Sequence, residues 1–291
     1  MQSASATLVL VVLLSLTLDA ARARELQPIV YSSSGELCSV SSLANPPTCV
    51  EAVGEFRDPA WQPHGDRLAV EAGVHDGAYE LELRDRQGSK IGQLEKWPGF
   101  IRPTWSRDGH HIYALSYELG AAVGRWDRDG QHFRVLPVSG VNGKQPYFQM
   151  LSFSPSGGRF ALLNSKFDGF QIGRVSGEGF SVERALPTGF EYVAGSAWLD
   201  EESLLFVGKK QNGPSSLWTL HVDQGDVTPV DTPGLFLRDF LALSPDGKSV
   251  VLCATKVGEA TSWSLWLYVF GAPSATRLTK GVEDVSPTWN N

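Results

Sequence analysis

The 291 residues carry 32 acidic against 25 basic side chains, a formal charge of -7. Nucleic-acid binding needs a clustered basic face, and the absence of one argues against that class. Apolar (42%) and charged (20%) fractions are ordinary for a globular chain, while 30 glycines and 17 prolines favour many short strands joined by tight turns.

Residues 8–18 (LVLVVLLSLTL) are almost wholly apolar, and Ala20, Ala21 and Ala23 follow. A bilayer span needs roughly 20 apolar residues, so this run is too short. It has the form of a signal-peptide core, and residues 1–23 are expected to be removed on export to the periplasm or the medium. No stable membrane insertion is expected after cleavage. The positive flank is missing apart from the amino terminus, which leaves an uncleaved anchor as the other reading.

Residues 25–54 offer three candidate strands, LQPIVYSSS, ELCSV and TCVEAVG. Cys38 and Cys49 fall in the second and third. In an oxidising compartment they can bridge, closing a short loop; two separate thiols are the alternative. Cys253, inside SVVLCAT, reads as a small buried hydrophobe.

From residue 58 onward one phrase repeats: an apolar anchor, a turn rich in Pro, Asp and Gly, then an apolar strand. Its instances are DPAWQPHGDRLAV, RPTWSRDGHHIYAL, LSFSPSGGRFALL, GSAWLDEESLLFVG and LALSPDGKSVVLC, and VSPTWNN is the sixth. The anchors Trp61, Trp105, Phe153, Trp198, Leu243 and Trp289 stand 44, 48, 45, 45 and 46 residues apart. Before each anchor is a small residue: Ala60, Thr104, Ser152, Ala197, Ala242 or Thr288. Neighbouring strand residues face opposite ways, so these strands are covered on both faces. Each interval has room for four strands, with third and fourth joined at turns such as RDRQGS and RDGQ.

The anchor-Ser-Pro-Asp-Gly phrase resembles the TolB-like, or PD40, propeller repeat. Leu243-Ser244-Pro245-Asp246-Gly247-Lys248 is a near-complete match, the phrases at Trp105 and Phe153 are close, and that at Trp198 keeps only the anchor. The resemblance covers residues 24–291 and implies an all-β, six-bladed propeller of four-stranded blades. Its closing blade would take one strand from the last residues and three from the first, hiding exposed edges. A Cys38–Cys49 bridge would then staple two outer strands of that blade.

Nucleophile and metal phrases (GxSxG, HExxH, SxxK, Walker A) are absent, so no catalytic residue is assigned. Asp127-Arg128-Asp129-Gly130 reads as a turn and lacks the further oxygen ligands of a calcium loop. His64, His110 and His111 belong to turns, and no histidine pair has ligand spacing beside a carboxylate. No metal and no cofactor is expected.

The segments leading to the anchors read as loops entering the inner strands, and they carry aromatics (Phe56, Phe100, Phe148, Tyr192 and Phe236) beside charges (Arg57, Asp58, Arg102, Glu191, Arg238, Asp239, Glu283 and Asp284). Aromatics and arginine dominate binding hot spots. These residues form a candidate binding surface around the channel; the bland alternative is that the aromatics plug gaps between blades. The expected function is a non-enzymatic binding or scaffold protein for a protein or peptide partner, with a glycan as a further possibility. The rivals are a channel-sited lyase, lactonase or hydrolase on sugar-like substrates and the propeller of a peptidase.

Overall fold

The computed structural model describes residues 29–40, 46–50, 55–74, 78–95, 99–116, 119, 122–140, 148–164, 166–177, 179–232, 234–259, 262–281 and 283–290. The expected signal peptide, residues 1–23, lies outside them. No helix occurs among the described residues.

The strands come in runs. The first run is β1 (Ile29–Ser33), β2 (Glu36–Val40) and β3 (Thr48–Cys49). Next are β4 (Phe56–Trp61), β5 (Leu68–Gly73), β6 (Tyr79–Arg84) and β7 (Lys90–Gln93). The third run is β8 (Phe100–Trp105), β9 (His111–Ser116), β10 (Ala122–Asp127) and β11 (Arg134–Ser139). It is followed by β12 (Phe148–Phe153), β13 (Arg159–Asn164), β14 (Gly169–Ser176) and β15 (Gly179–Pro187). Then come β16 (Tyr192–Trp198), β17 (Ser203–Lys209), β18 (Ser215–His221) and β19 (Val227–Val230). The last are β20 (Leu235–Leu243), β21 (Ser249–Lys256), β22 (Ser264–Val269), β23 (Thr276–Arg277) and β24 (Asp284–Trp289).

Each run is an antiparallel meander. β24 joins the first run by pairing with β1, Trp289 opposite Ile29, so early and late segments build one four-stranded sheet. Around the molecule β4 touches β8, β8 touches β12, and so on through β16, β20 and β24, which returns to β4. The six anchor-bearing strands therefore form a closed ring. Three further sheets are separate four-stranded meanders. The remaining eight strands depart from a simple repeat: β8–β11 and β12–β15 form one sheet, because β11 and β15 pair in parallel, with Val138 opposite Phe180. Gly140 permits that seam, since a Cβ there would stand 2.3 Å from the Val182 carbonyl oxygen.

The core lies between neighbouring sheets. Phe100, Trp105, Ile112 and Trp126 pack on Leu81 and Leu83 of the preceding run, and Phe56, Trp61 and Leu68 pack on Val30 and Leu37. Full burial of such side chains contributes about 1.5–3 kcal/mol each, which is why the anchor position demands bulk. Two anchors also clasp the previous sheet by hydrogen bonds: Trp105 Nε1 donates to the Ala60 carbonyl at 2.9 Å and Trp198 Nε1 to that of Ser152 at 3.3 Å. The small residue before each anchor lets the strands approach this closely. The indoles of Trp61 and Trp289, on either side of the closing sheet, have no such partner among the described residues.

The repeated turn has a local cause. Ser244 Oγ donates to Asp246 Oδ1 at 2.7 Å, Asp246 Oδ1 accepts from the Lys248 N–H at 3.0 Å, and Ser244 Oγ accepts from the Ser249 N–H at 2.9 Å. Gly247 supplies the left-handed residue at φ +68°. Ser106 and Asp108 repeat this arrangement.

Within the early–late sheet, Cys38 and Cys49 stand directly opposite on β2 and β3 and are joined by a disulfide. Cys253 is free and buried, its thiol donating to the Asp284 carbonyl at 3.1 Å.

Candidate functional site

The segments read from sequence as loops before the anchors are the beginnings of the innermost strands themselves. Phe56 opens β4, Phe100 opens β8 and Phe148 opens β12. Each anchor-bearing strand then breaks register before its anchor, for example between Arg57 and Ala60 and between Ile101 and Thr104. At that bulge Asp58, Arg102, Gly195 and Ser286, each three residues before its anchor, take positive φ (43°, 54°, 35° and 51°). Bulges re-aim side chains. Here they bring charged and polar groups to one end of the channel from strands that are otherwise apolar.

Two cavities adjoin the anchor-bearing strands, the first lined by all six of them and the second by β4, β8, β20 and β24. One of about 460 Å³ is lined largely by the anchors, the small residues before them, and prolines of the first turns. The other, about 790 Å³, opens at the end where the innermost strands begin; its wall includes Phe56, Arg57, Asp58, Glu71, Tyr79, Arg102, Arg238, Phe240, Glu283 and Ser286.

The charges of this second cavity are held against one another. Arg102 Nε lies 3.5 Å from Asp58 Oδ2, and Ser286 Oγ donates to Asp58 Oδ1 at 2.7 Å. Arg57 pairs with Glu55 and stacks over Tyr79, 4.5 Å from its centroid. Arg238 pairs with Glu283 at 3.5 Å and lies 5.3 Å from the Trp263 ring centroid. The Arg102 guanidinium also donates to the Gln149 carbonyl, tying β8 to β12. Glu71, on β5, is 5% exposed and accepts the backbone N–H of Arg102. Burial pushes its carboxyl up to about 7 and the neighbouring Asp58 carboxylate adds to the rise, against the pull of the Arg102 N–H and guanidinium.

Of the residues singled out in the sequence, Phe56, Arg57, Asp58, Arg102, Arg238 and Glu283 line this cavity. Others lie elsewhere. Phe100 and Phe148 are buried between sheets, Phe100 packing edge-on against Trp126. Asp284 is 1% exposed because its carboxylate accepts from Ser33 Oγ, Thr279 Oγ1 and the Gly281 N–H; it fixes a turn and offers nothing to a ligand. Glu191 pairs with Lys209 at 3.1 Å, and Phe236 is an exposed ring 6.1 Å from that of Trp263. Tyr192 stacks on Phe167; burial and the Asp239 carboxylate hold its hydroxyl up at about 12.

Glu71, Tyr79, Phe240 and Ser286 were missed in the sequence. For Glu71 a signal exists in the register. Counting three residues on from the partner of each anchor gives Glu71, Leu115, Leu163, Val207, Cys253 and Ser32. Glu71 is the single charge in that row.

Among the described residues one trio of metal-type ligand atoms converges, from Glu36, Cys38 and Cys49, and its two cysteines are joined in the disulfide.

No protein-family model matches the chain. No curated sequence matches it either. Solved structures do. TolB from Acinetobacter baumannii superposes with a TM-score of 0.71 at 16% identity, over 90% of this chain and 66% of that one. This chain thus spans just under two thirds of that protein's length. A nidogen/laminin complex component gives 0.61 at 12% identity, covering 90% and 97%. Oligogalacturonate lyase in complex with manganese gives 0.53 at 13% identity, covering 88% and 73%. At such identities the likeness speaks for fold alone. The chain has the all-β fold of TolB-like propellers.

Proposed function

We propose that this chain is an exported, non-enzymatic binding or scaffold protein of the periplasm or the medium. Each run of four strands is read as one blade, the joined eight strands being two, so the ring has six. A protein or peptide partner engages the charged end of the channel. The observation that carries this reading is the 790 Å³ cavity, in which Arg102, Arg238, Asp58 and Glu283 are fixed by reciprocal pairing at the edge of aromatic rings. Groups held in this way lose little side-chain freedom on binding, and Arg beside aromatic surface is the composition of binding hot spots. The fold is shared both with a component of the nidogen/laminin complex and with oligogalacturonate lyase, so the choice of a protein partner rests on the cavity and not on the fold.

Affinity capture from the exporting cell, with wild type beside an Arg102→Ala/Arg238→Ala variant, tests the site. The expected result is a partner retained by wild type and lost by the variant. An identical retained set overturns the assignment.

A further inference from the structure

At the charged end of the channel Arg57 is committed to Glu55, Arg238 to Glu283 and Arg102 to Asp58. That leaves Glu71, on the wall of the same cavity, with no cationic side chain in ion-pair reach among the described residues. Its Oε1 accepts the Arg102 N–H, and its Oε2 receives no hydrogen bond from them. Oε2 is open to the cavity, while burial of the rest of the side chain penalises the charged form of this acid. The fold does not ask for it, because Leu115 and Leu163 fill the same register in the next two runs. A group kept at a cost and pointed into a cavity is explained by what it receives.

On the binding reading above, we propose that Glu71 receives the amino or guanidinium group of a lysine or arginine side chain that the partner inserts into this cavity. The aliphatic stem of such a side chain packs on Tyr79 and Phe240, which line the same space. The charged and titratable groups facing Glu71 are Arg57 and Asp58 from β4, Tyr79 from β6 and Arg102 from β8. Because the free carboxyl holds its proton up to about pH 7, the incoming cation displaces that proton. Linkage then makes binding about tenfold weaker at pH 6 than at pH 8.

The test is an NMR titration of the full chain with the pentapeptide Gly-Gly-Lys-Gly-Gly, its arginine form and its norleucine form, followed at the amides of Tyr79 and Arg102. The lysine or arginine peptide is expected to bind at least tenfold more tightly than the norleucine peptide at pH 8, and about tenfold less tightly at pH 6 than at pH 8. Glu71→Gln should remove both differences. Glu71→Leu, the residue used in the same register elsewhere, serves if the amide variant does not fold. Equal binding of the lysine and norleucine peptides, no binding by wild type, or unchanged binding by a folded variant overturns the proposal. A partner that Glu71→Gln retains and Arg102→Ala/Arg238→Ala loses would remove only the role of Glu71. Retention by both removes the binding site itself.

Discussion

Ser286 Oγ donates to Asp58 Oδ1 across 2.7 Å, although 228 residues separate them in the chain. Both residues sit three before an anchor, both have positive φ, and together they tie β24 to β4 where the ring closes. A hydroxyl–carboxylate bond of this kind contributes about 1.5–3 kcal/mol. Ser286→Ala should lose that bond and keep the strained φ of 51°, whereas Ser286→Gly loses the bond but relieves the backbone. Thermal melts should rank wild type above Gly and Gly above Ala, with roughly 1 kcal/mol between the variants. Equal melting of the two would show that the backbone at this bulge is unstrained.

Gly195 meets a stricter demand. A Cβ there would approach the Asp239 carbonyl oxygen to 2.3 Å, at φ +35°, so the next innermost strand leaves no room. Gly195→Ala should cost on the order of 3 kcal/mol, from overpacking and backbone strain together. Gly271→Ala is the control: its φ is +80°, but nothing lies within 4 Å of the added Cβ. Its cost should be about 1 kcal/mol, read from urea midpoints. Similar losses for the two would disprove the close approach.

Removing the Cys38–Cys49 bridge frees the β2–β3 hairpin in the sheet that joins early and late segments. With a separation of 11 residues, the loop-closure argument gives about 3 kcal/mol. Cys38→Ser/Cys49→Ser, or wild type in reductant, should melt correspondingly lower while Cys253 stays inaccessible to thiol reagents. No change in melting on reduction would mean that the closing sheet holds without its bridge.

Glu71 also makes stability depend on pH. The folded state holds its proton up to about 7, above the ordinary 4.5, so folding favours the protonated form. Wild type should therefore lose stability relative to Glu71→Gln as pH rises from about 4.5 to about 7, by at most about 1.4 kcal/mol per pH unit. Above that window the difference is constant. Urea denaturation of both proteins at pH 5 and pH 8 measures it, and parallel profiles would count against the buried carboxyl as the source.

The ring was legible because the turn phrase is chemically exacting: Ser244, Asp246 and Gly247 each satisfy one backbone requirement, and the wedge before them must be bulky. The site was less so. Alternation of faces is the rule by which a strand is read, and the bulges at Asp58 and Arg102 interrupt it, so Phe56 and Phe100 looked like loop residues. They pair with Ala72 and Ser116 and turn inward. Asp284 follows Glu283 and looked equally exposed, yet one side chain faces Arg238 and the other a buried turn. Glu71 sits in LAVEAG, where one acid in a short apolar strand reads as its wet side; only register comparison with Leu115 and Leu163 shows otherwise. The parallel seam of β11 and β15 has no local signal, because it joins strands that close their own hairpins.

That seam bears on how the ring deforms. Sliding β8–β11 against β12–β15 would break backbone bonds at Val138 and Ser139. Single backbone bonds cross other boundaries too, from the Glu95 N–H to the Gly130 carbonyl at 2.8 Å and from the Val193 N–H to the Phe167 carbonyl at 2.6 Å. The seam is a two-pair ladder between strands, where those boundaries carry single bonds. Directly across it lies the boundary between β20–β23 and the early–late sheet, beside the unclasped indole of Trp289. That boundary too is tied by backbone, the Asp284 N–H donating to the Trp263 carbonyl at 3.0 Å, so widening the channel would break backbone hydrogen bonds on that flank as well.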